Sequence, residues 1–264
     1  MMVASEPIAP AAVREALAAH KAVGPVQVAS DAETAADWAT LAELVLVPGR
    51  WMARVAERTG GDPAATAAFL VAESVRAVIG LPVALLAASR RALVARPEHV
   101  RLRLEAAGRV TGIAILGGGI VVDPADRLAD LHGATLDRDG RTRIWYAGGT
   151  LAALAAPIID AVAPLGELRR RVLWALVADE VATTAMIYEP DPVAAAALID
   201  EVWGTLPARP TGRVVLERAA ARHGAFRARR VGCCLAFRIA TASRCPECPD
   251  AAAVRDRAAA PHAP

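Results

Sequence analysis

The sequence predicts an α+β fold, predominantly helical, with a small central antiparallel sheet and a C-terminal segment that carries every cysteine. Three observations predict it. Long Ala-, Val- and Leu-rich stretches begin at Asp-Pro pairs, Asp62-Pro63 and Asp191-Pro192, where Asp caps a helix and Pro takes its first position. Val100, Leu102 and Leu104 alternate with Arg101, Arg103 and Glu105, the period of a half-buried strand. The four cysteines are gathered into one short stretch, Cys233-Cys234, ten residues, then Cys245-Pro246-Glu247-Cys248-Pro249.

The elements follow in order. Residues 1–30 read as an N-terminal arm. Residues 31–250 read as one domain, helical over 31–95, a small sheet over 96–147, helical again over 148–224, with the cysteine segment at 225–250. A helix is expected over Ala36–Glu57, interrupted at Pro48-Gly49. The helix from Asp62-Pro63 should reach Ile79, where Gly80 and Pro82 interrupt it, and a further helix should continue to Leu93. Ala107-Gly108 turns the strand ending at Glu105 into a second one, Val110–Leu116. Gly117-Gly118-Gly119 leads to Ile120–Val122, and Asp137–Gly140 is expected to turn a hairpin into Arg141–Tyr146. Helices resume at Thr150. The strongest spans Leu165–Tyr188, with Leu168, Val172 and Leu176 on one face. The next starts at Asp191-Pro192, pairs Leu198 with Val202 and Ile199 with Trp203, and stops at Gly204. A last helix is expected over Thr211–His223. Phe226–Arg230 leads into the cysteines, and 251–264, rich in Ala and Pro, reads as a loose tail.

Bulk properties narrow the function. At 264 residues the chain can bury an ample core. Net charge is +2, and no Lys/Arg stripe interleaved with aromatics marks a nucleic-acid surface. Lys21 is the one lysine, so the arginine count reflects base composition before function. Residues 1–10 lack the charged-then-apolar pattern of a secretory leader. The uncharged runs 77–89, 110–122 and 144–159 each fall short of the ~20 apolar residues of a spanning helix. The expectation is a cytoplasmic protein without a membrane span. In such a compartment clustered cysteines bind metal more often than they pair.

Four thiols this close can supply the ligands of Zn(II) or of a [2Fe–2S] cluster. A structural zinc site usually shows two separated CxxC knuckles, and here only Cys245-x-x-Cys248 has that form. Adjacent side chains on extended backbone point to opposite sides, so Cys233 and Cys234 can face one centre only if the chain bends there. Pro246 and Pro249 stiffen the knuckle.

The spacing Cys-Cys-x10-Cys-x2-Cys, inside Arg229-Arg230-Val231-Gly232-Cys233-Cys234-Leu235-Ala236-Phe237-Arg238, resembles the C-terminal signature of the FhuF-type ferric-siderophore reductases. Leu168–Ala178 is similar to the helical part of that family. The resemblance implies a [2Fe–2S] cluster held by Cys233, Cys234, Cys245 and Cys248. It also implies one-electron reduction of Fe(III) in a ferric siderophore. No NAD(P)H or flavin motif is present, so a separate electron donor, a ferredoxin or a reductase, is expected as a partner.

Arg227, Arg229, Arg230, Arg238 and Arg244 crowd the cysteines. Arg229, Arg230 and Arg238 are the candidates to hold an anionic substrate or an acidic donor, and to ease reduction of an anionic centre. The competing reading of these arginines is solvated surface. Gly117–Gly119 lacks the glycine at 122 and the following helix of a dinucleotide site, so it reads as a turn. Trp145, Tyr146 and Trp203 could line a cavity, though a tryptophan at helical spacing is more often core. The histidines fit no metal spacing. The alternative function is a non-enzymatic siderophore-binding or iron-delivery protein with structural Zn(Cys)4. An iron–sulfur sensor acting on DNA is disfavoured, because no basic recognition helix is evident.

Overall fold

The computed structural model describes residues 9–18, 22–23, 26–29, 35, 37–208, 215–218, 226–233, 235 and 238. In chain order the elements are α1 (Ala11–Leu17), β1 (Ala22–Val23), β2 (Val26–Ala29), β3 (Ala39–Thr40), α2 (Leu41–Leu46), α3 (Pro48–Thr59) and α4 (Pro63–Ser89). Then come β4 (Ala92–Val94), β5 (Val100–Leu104), β6 (Val110–Ile115), β7 (Gly119–Val122), β8 (Ala134–Leu136), α5 (Thr142–Val162), α6 (Arg170–Tyr188), α7 (Pro192–Trp203), β9 (Leu216–Arg218) and β10 (Phe226–Ala228). The architecture is α+β and mainly helical.

The core is built around α4. Asp62 caps it by accepting the Ala65 N–H, and every residue from Ala77 to Ala87 is buried. Gly80 and Pro82 therefore do not interrupt it. A proline inside a helix removes one hydrogen bond and costs about 3 kcal/mol or more, yet here the surrounding apolar packing holds the helix through it. The helix ends at Arg90, which is left-handed and returns its N–H to Leu85 and Leu86. The helix expected to reach Leu93 stops at Ser89, and Ala92–Val94 forms β4, antiparallel to β7.

α6 lies beside α4 and runs in the same direction. Gly166 packs on Ala67 near the start of both helices, Arg76 faces Glu180 at 3.9 Å midway, and Arg90 pairs with Glu189 at the far end. α7 is capped by Asp191, and Trp203 is buried with its indole N–H on the Ala178 carbonyl, a core role. Among the described residues α4 and α5 are long and apolar enough to cross a membrane. Within the apolar window 78% of α4 and 44% of α5 is buried inside the protein.

The expected single antiparallel sheet is instead several small sheets with mixed pairing. One has the order β1-β2-β6-β5-β3, with β2 parallel to β6 and the other pairs antiparallel. The β5–β6 hairpin turns through Gly108 at φ +77°, as the sequence predicts. A second sheet, β4-β7-β8, has β7 parallel to β8. The glycines between β6 and β7 do form a turn; Gly118 has φ +87°, and a Cβ there would meet the Val94 carbonyl oxygen at 2.0 Å.

Arg141–Tyr146 is not a strand. Asp139 accepts the N–H groups of Arg141 and Thr142 and the Thr142 hydroxyl, which starts α5 there. Ala147, Gly148 and Leu151 then fall on one buried face. At the other end of the helical expectations, Ala36–Glu57 divides into β3, α2 and α3, with the break at Val47. The helix expected over Thr211–His223 is also absent from its described part. Leu216–Arg218 is strand β9, paired antiparallel with β10, and the rest lies outside the described residues. Within the stretch read as an N-terminal arm, α1 buries Ala12, Val13, Ala16 and Leu17 in the core, and β2 joins the sheet.

Candidate metal-binding segment

Of the four predicted ligands Cys233 is described and half-buried; Cys234, Cys245 and Cys248 lie outside the described residues. What the fold does define is how the chain reaches Cys233. Strand β10 lies against α6 and hands the chain on through Arg229, with the Arg229 N–H on the Val215 carbonyl. The next residues are drawn onto α6 by a single side chain, Asp179.

Asp179 is only 4% exposed. Its carboxylate accepts the Val231 N–H at 2.7 Å, the Gly232 N–H at 3.1 Å and the Arg230 guanidinium at 3.2 Å. Burial pushes its carboxyl above the ordinary value, while the Val231 N–H, the Arg230 charge and the Gly232 N–H pull the other way. Gly232 then rests on the helix itself. A Cβ at this position would lie 3.0 Å from the Ala175 carbonyl carbon and Cβ, and 3.2 Å from the Leu176 nitrogen.

Beyond the cysteine pair the chain bends. Leu235 has φ +54°, uncommon for a residue with a branched side chain, and it packs against the core. Its carbonyl accepts the Arg238 N–H at 2.8 Å. Arg238 reaches the Asp62 carboxylate at 2.5 Å, at the start of α4. The described part of the segment therefore runs from the middle of α6, at Asp179, to the N-terminus of α4, at Asp62.

The predicted arginines divide accordingly. Arg230 and Arg238 each form an ion pair inside this path, and Arg229 is exposed. The backbone of Arg227 is in β10, while Arg244 lies outside the described residues. Trp145 is 68% exposed and stacks edge-on to Tyr146. The anchoring by Asp179, the close seat of Gly232, the left-handed Leu235 and the pairing of the cap Asp62 with Arg238 carry no signal in the motif itself. The available signal was an acidic pair, Asp179-Glu180, set amid Val177, Ala178, Val181 and Ala182.

Beside the anchor a cavity of about 160 Å³ is lined by Arg76, Leu176, Asp179, Glu180, Thr183 and Arg230. Burial pushes the Glu180 carboxyl up, opposed by the Arg76 charge and the Thr184 hydroxyl. This volume lies below the ~300–1,000 Å³ of most small-molecule sites. A larger, apolar cleft of about 310 Å³ opens between α3 and the start of α4, lined by Met52, Ala53, Ala56, Pro63, Thr66 and Leu165. Among the described residues no group of three or more His, Cys, Asp or Glu could hold a metal ion.

At the described end of this segment Cys233 supplies one thiol. Cys233 follows a backbone fixed by Asp179, and the chain turns at Leu235, after the cysteine pair. No model of a known protein family matches the chain, and no curated protein matches it.

Proposed function

We propose that the protein reduces Fe(III) in a ferric siderophore by one electron and releases Fe(II) in the cytoplasm, without spanning the membrane. The observation that carries this reading is the spacing of the cysteines. All four fall within one stretch, with an adjacent pair that suits a [2Fe–2S] cluster better than a zinc knuckle. Cys233, Cys234, Cys245 and Cys248 would hold the cluster. When bound, it would supply a one-electron carrier.

The chain's own residues support such a site. Asp179 fixes the backbone ahead of Cys233, and Leu235 turns the chain after Cys234. Exposed Arg229 stands four residues before the first ligand, where it can attract an anionic chelate or an acidic donor protein. The protein need not break the siderophore's bonds to iron. Hard oxygen donors hold the trivalent ion far more tightly than the divalent one, so reduction itself loosens the complex. The sequence carries no NAD(P)H or flavin motif, which favours a ferredoxin or a separate reductase as the source of electrons.

The test is anaerobic turnover. Protein pre-reduced with a stoichiometric donor is mixed with a ferric hydroxamate or catecholate chelate, and Fe(II) is trapped with a chromogenic ligand. One Fe(II) formed per reducing equivalent is expected. Tight chelate binding with no Fe(II) would instead favour a non-enzymatic siderophore-binding or iron-delivery protein with Zn(Cys)4.

A further inference from the structure

A carboxylate buried in a helix is costly unless its lone pairs are matched. Asp179 is matched in an unusual way. Among the described residues its three donors are Arg230, Val231 and Gly232, which lie 51 to 53 residues further along the chain and immediately precede Cys233. These hydrogen bonds therefore do one thing: they tie the approach to the cysteine pair onto α6.

Three further features bracket the same pair. Gly232 sits so close to Ala175 and Leu176 that a side chain there would force the segment outward. Leu235 holds a left-handed backbone directly after Cys234. Arg238 fastens the far side to Asp62. Strained backbone and buried polar anchors persist where the surrounding structure over-determines them, and they cluster at functional sites. For stability alone, well-packed apolar residues commonly serve as well as a buried ion pair or better.

We propose that Asp179 is a positioning residue for the thiolate site. Acting through Arg230, Val231 and Gly232, it fixes the backbone that enters Cys233 and neutralises the arginine three residues before that ligand. It also takes up the Val231 and Gly232 N–H groups, so these donors are withheld from the sulfurs. The inference rests on reading Cys233 as a metal ligand.

The test uses the full chain with Asp179→Asn, and Asp126→Asn as control. Asp126 pairs with Arg91 through two hydrogen bonds and is remote in sequence from the cysteines. First, alkylation of Cys233 is timed by mass spectrometry in reduced, metal-free protein, at one pH and well below the unfolding temperature. Asp179→Asn should speed modification by about tenfold, and the control by less than about twofold, since a lost anchor of 1.4 kcal/mol is a factor of ten in an opening equilibrium. Second, the reduction potential of the metal-loaded protein should rise in Asp179→Asn, because one negative charge facing Arg230 is removed, and stay unchanged in the control.

Equal rates in Asp179→Asn and wild type, or equal acceleration in both variants, would overturn the proposal, since Asp179 would then be an ordinary folding contact. Should Asp179→Asn fail to fold, Arg230→Gln tests the same anchor from the segment's side: faster alkylation of Cys233 than in the control supports it, and an unchanged rate overturns it. A protein that carries zinc and shows no redox wave would refute the reductase reading, while the alkylation rates would still decide the role of Asp179.

Discussion

Asp62 and Arg238 tie the cysteine segment to the start of α4. One carboxylate caps α4 through the Ala65 N–H and also holds the Arg238 guanidinium at 2.5 Å. The helix on which the core is built and the stretch that follows the Cys233-Cys234 pair thus share a single side chain.

That double use separates two substitutions. Asp62→Asn keeps a good cap and loses the charge pair, and exposed pairs contribute little. Asp62→Ala loses both. The melting temperature should fall by a few degrees for Asp62→Ala and hardly at all for Asp62→Asn. Calorimetry on metal-free protein reads this directly, and equal losses would show that the ion pair, not the cap, is what matters.

Gly232→Ala should disturb the segment with little effect on the rest of the fold. The new methyl would lie 3.0 Å from Ala175, and relieving such overpacking costs about 1–3 kcal/mol. The expected result is lower metal content and faster loss of metal to chelators, at unchanged helical circular dichroism. Wild-type retention of metal would mean that the segment does not rest on α6 in solution.

Acid should weaken the fold through Asp62 and Asp126. The Ala65 N–H holds Asp62 below the ordinary carboxylate value, and the Arg91 guanidinium does the same for Asp126. Their folded values are depressed, so the stability they contribute is complete above the unfolded value and is lost as pH falls toward the folded one. Urea unfolding followed below the ordinary carboxylate range should lose less stability in Asp126→Asn than in wild type. Parallel curves would contradict this.

Glu180 has the opposite sign. Burial raises its folded value, with Arg76, Asp179 and Arg230 the charged groups that face it. The folded state then keeps a proton that the unfolded chain releases, so this residue costs stability as pH rises from the ordinary carboxylate value through the raised one. Glu180→Gln should gain on wild type over that window in the same urea experiment. A constant difference across pH would refute the assignment.

Legibility in the sequence followed how local each cause is. The alternation of Val100, Leu102 and Leu104, the Asp-Pro starts at 62 and 191 and the stop at Gly204 are local, and each element they predict is present. Gly80 and Pro82 are local breakers overruled by enclosure on all sides. Arg141–Tyr146 reads as a strand because a turn signal precedes it, yet Asp139 accepts the first N–H groups of a helix there. The reach of the segment was set by residues without a local signature. Asp179 finds its partners beyond residue 229, and nothing in the run Cys-Cys-Leu announces a left-handed Leu235. The cysteine spacing is purely local, and of its four residues only Cys233 is among the described ones.

Replacing Cys234 or Cys245 by serine should abolish or grossly destabilise the metal centre, because a serine oxygen is a poor match to iron–sulfur chemistry. Most of the helical signal should remain, since the core is built from α4 to α7. Global unfolding would mark the centre as a structural staple.

The most direct test of the central claim is the composition of anaerobically prepared protein. The account predicts about two irons and about two acid-labile sulfides per chain, with an EPR signal that appears only after reduction and has an average g below the free-electron value. Stoichiometric zinc without sulfide in the same preparation would contradict it.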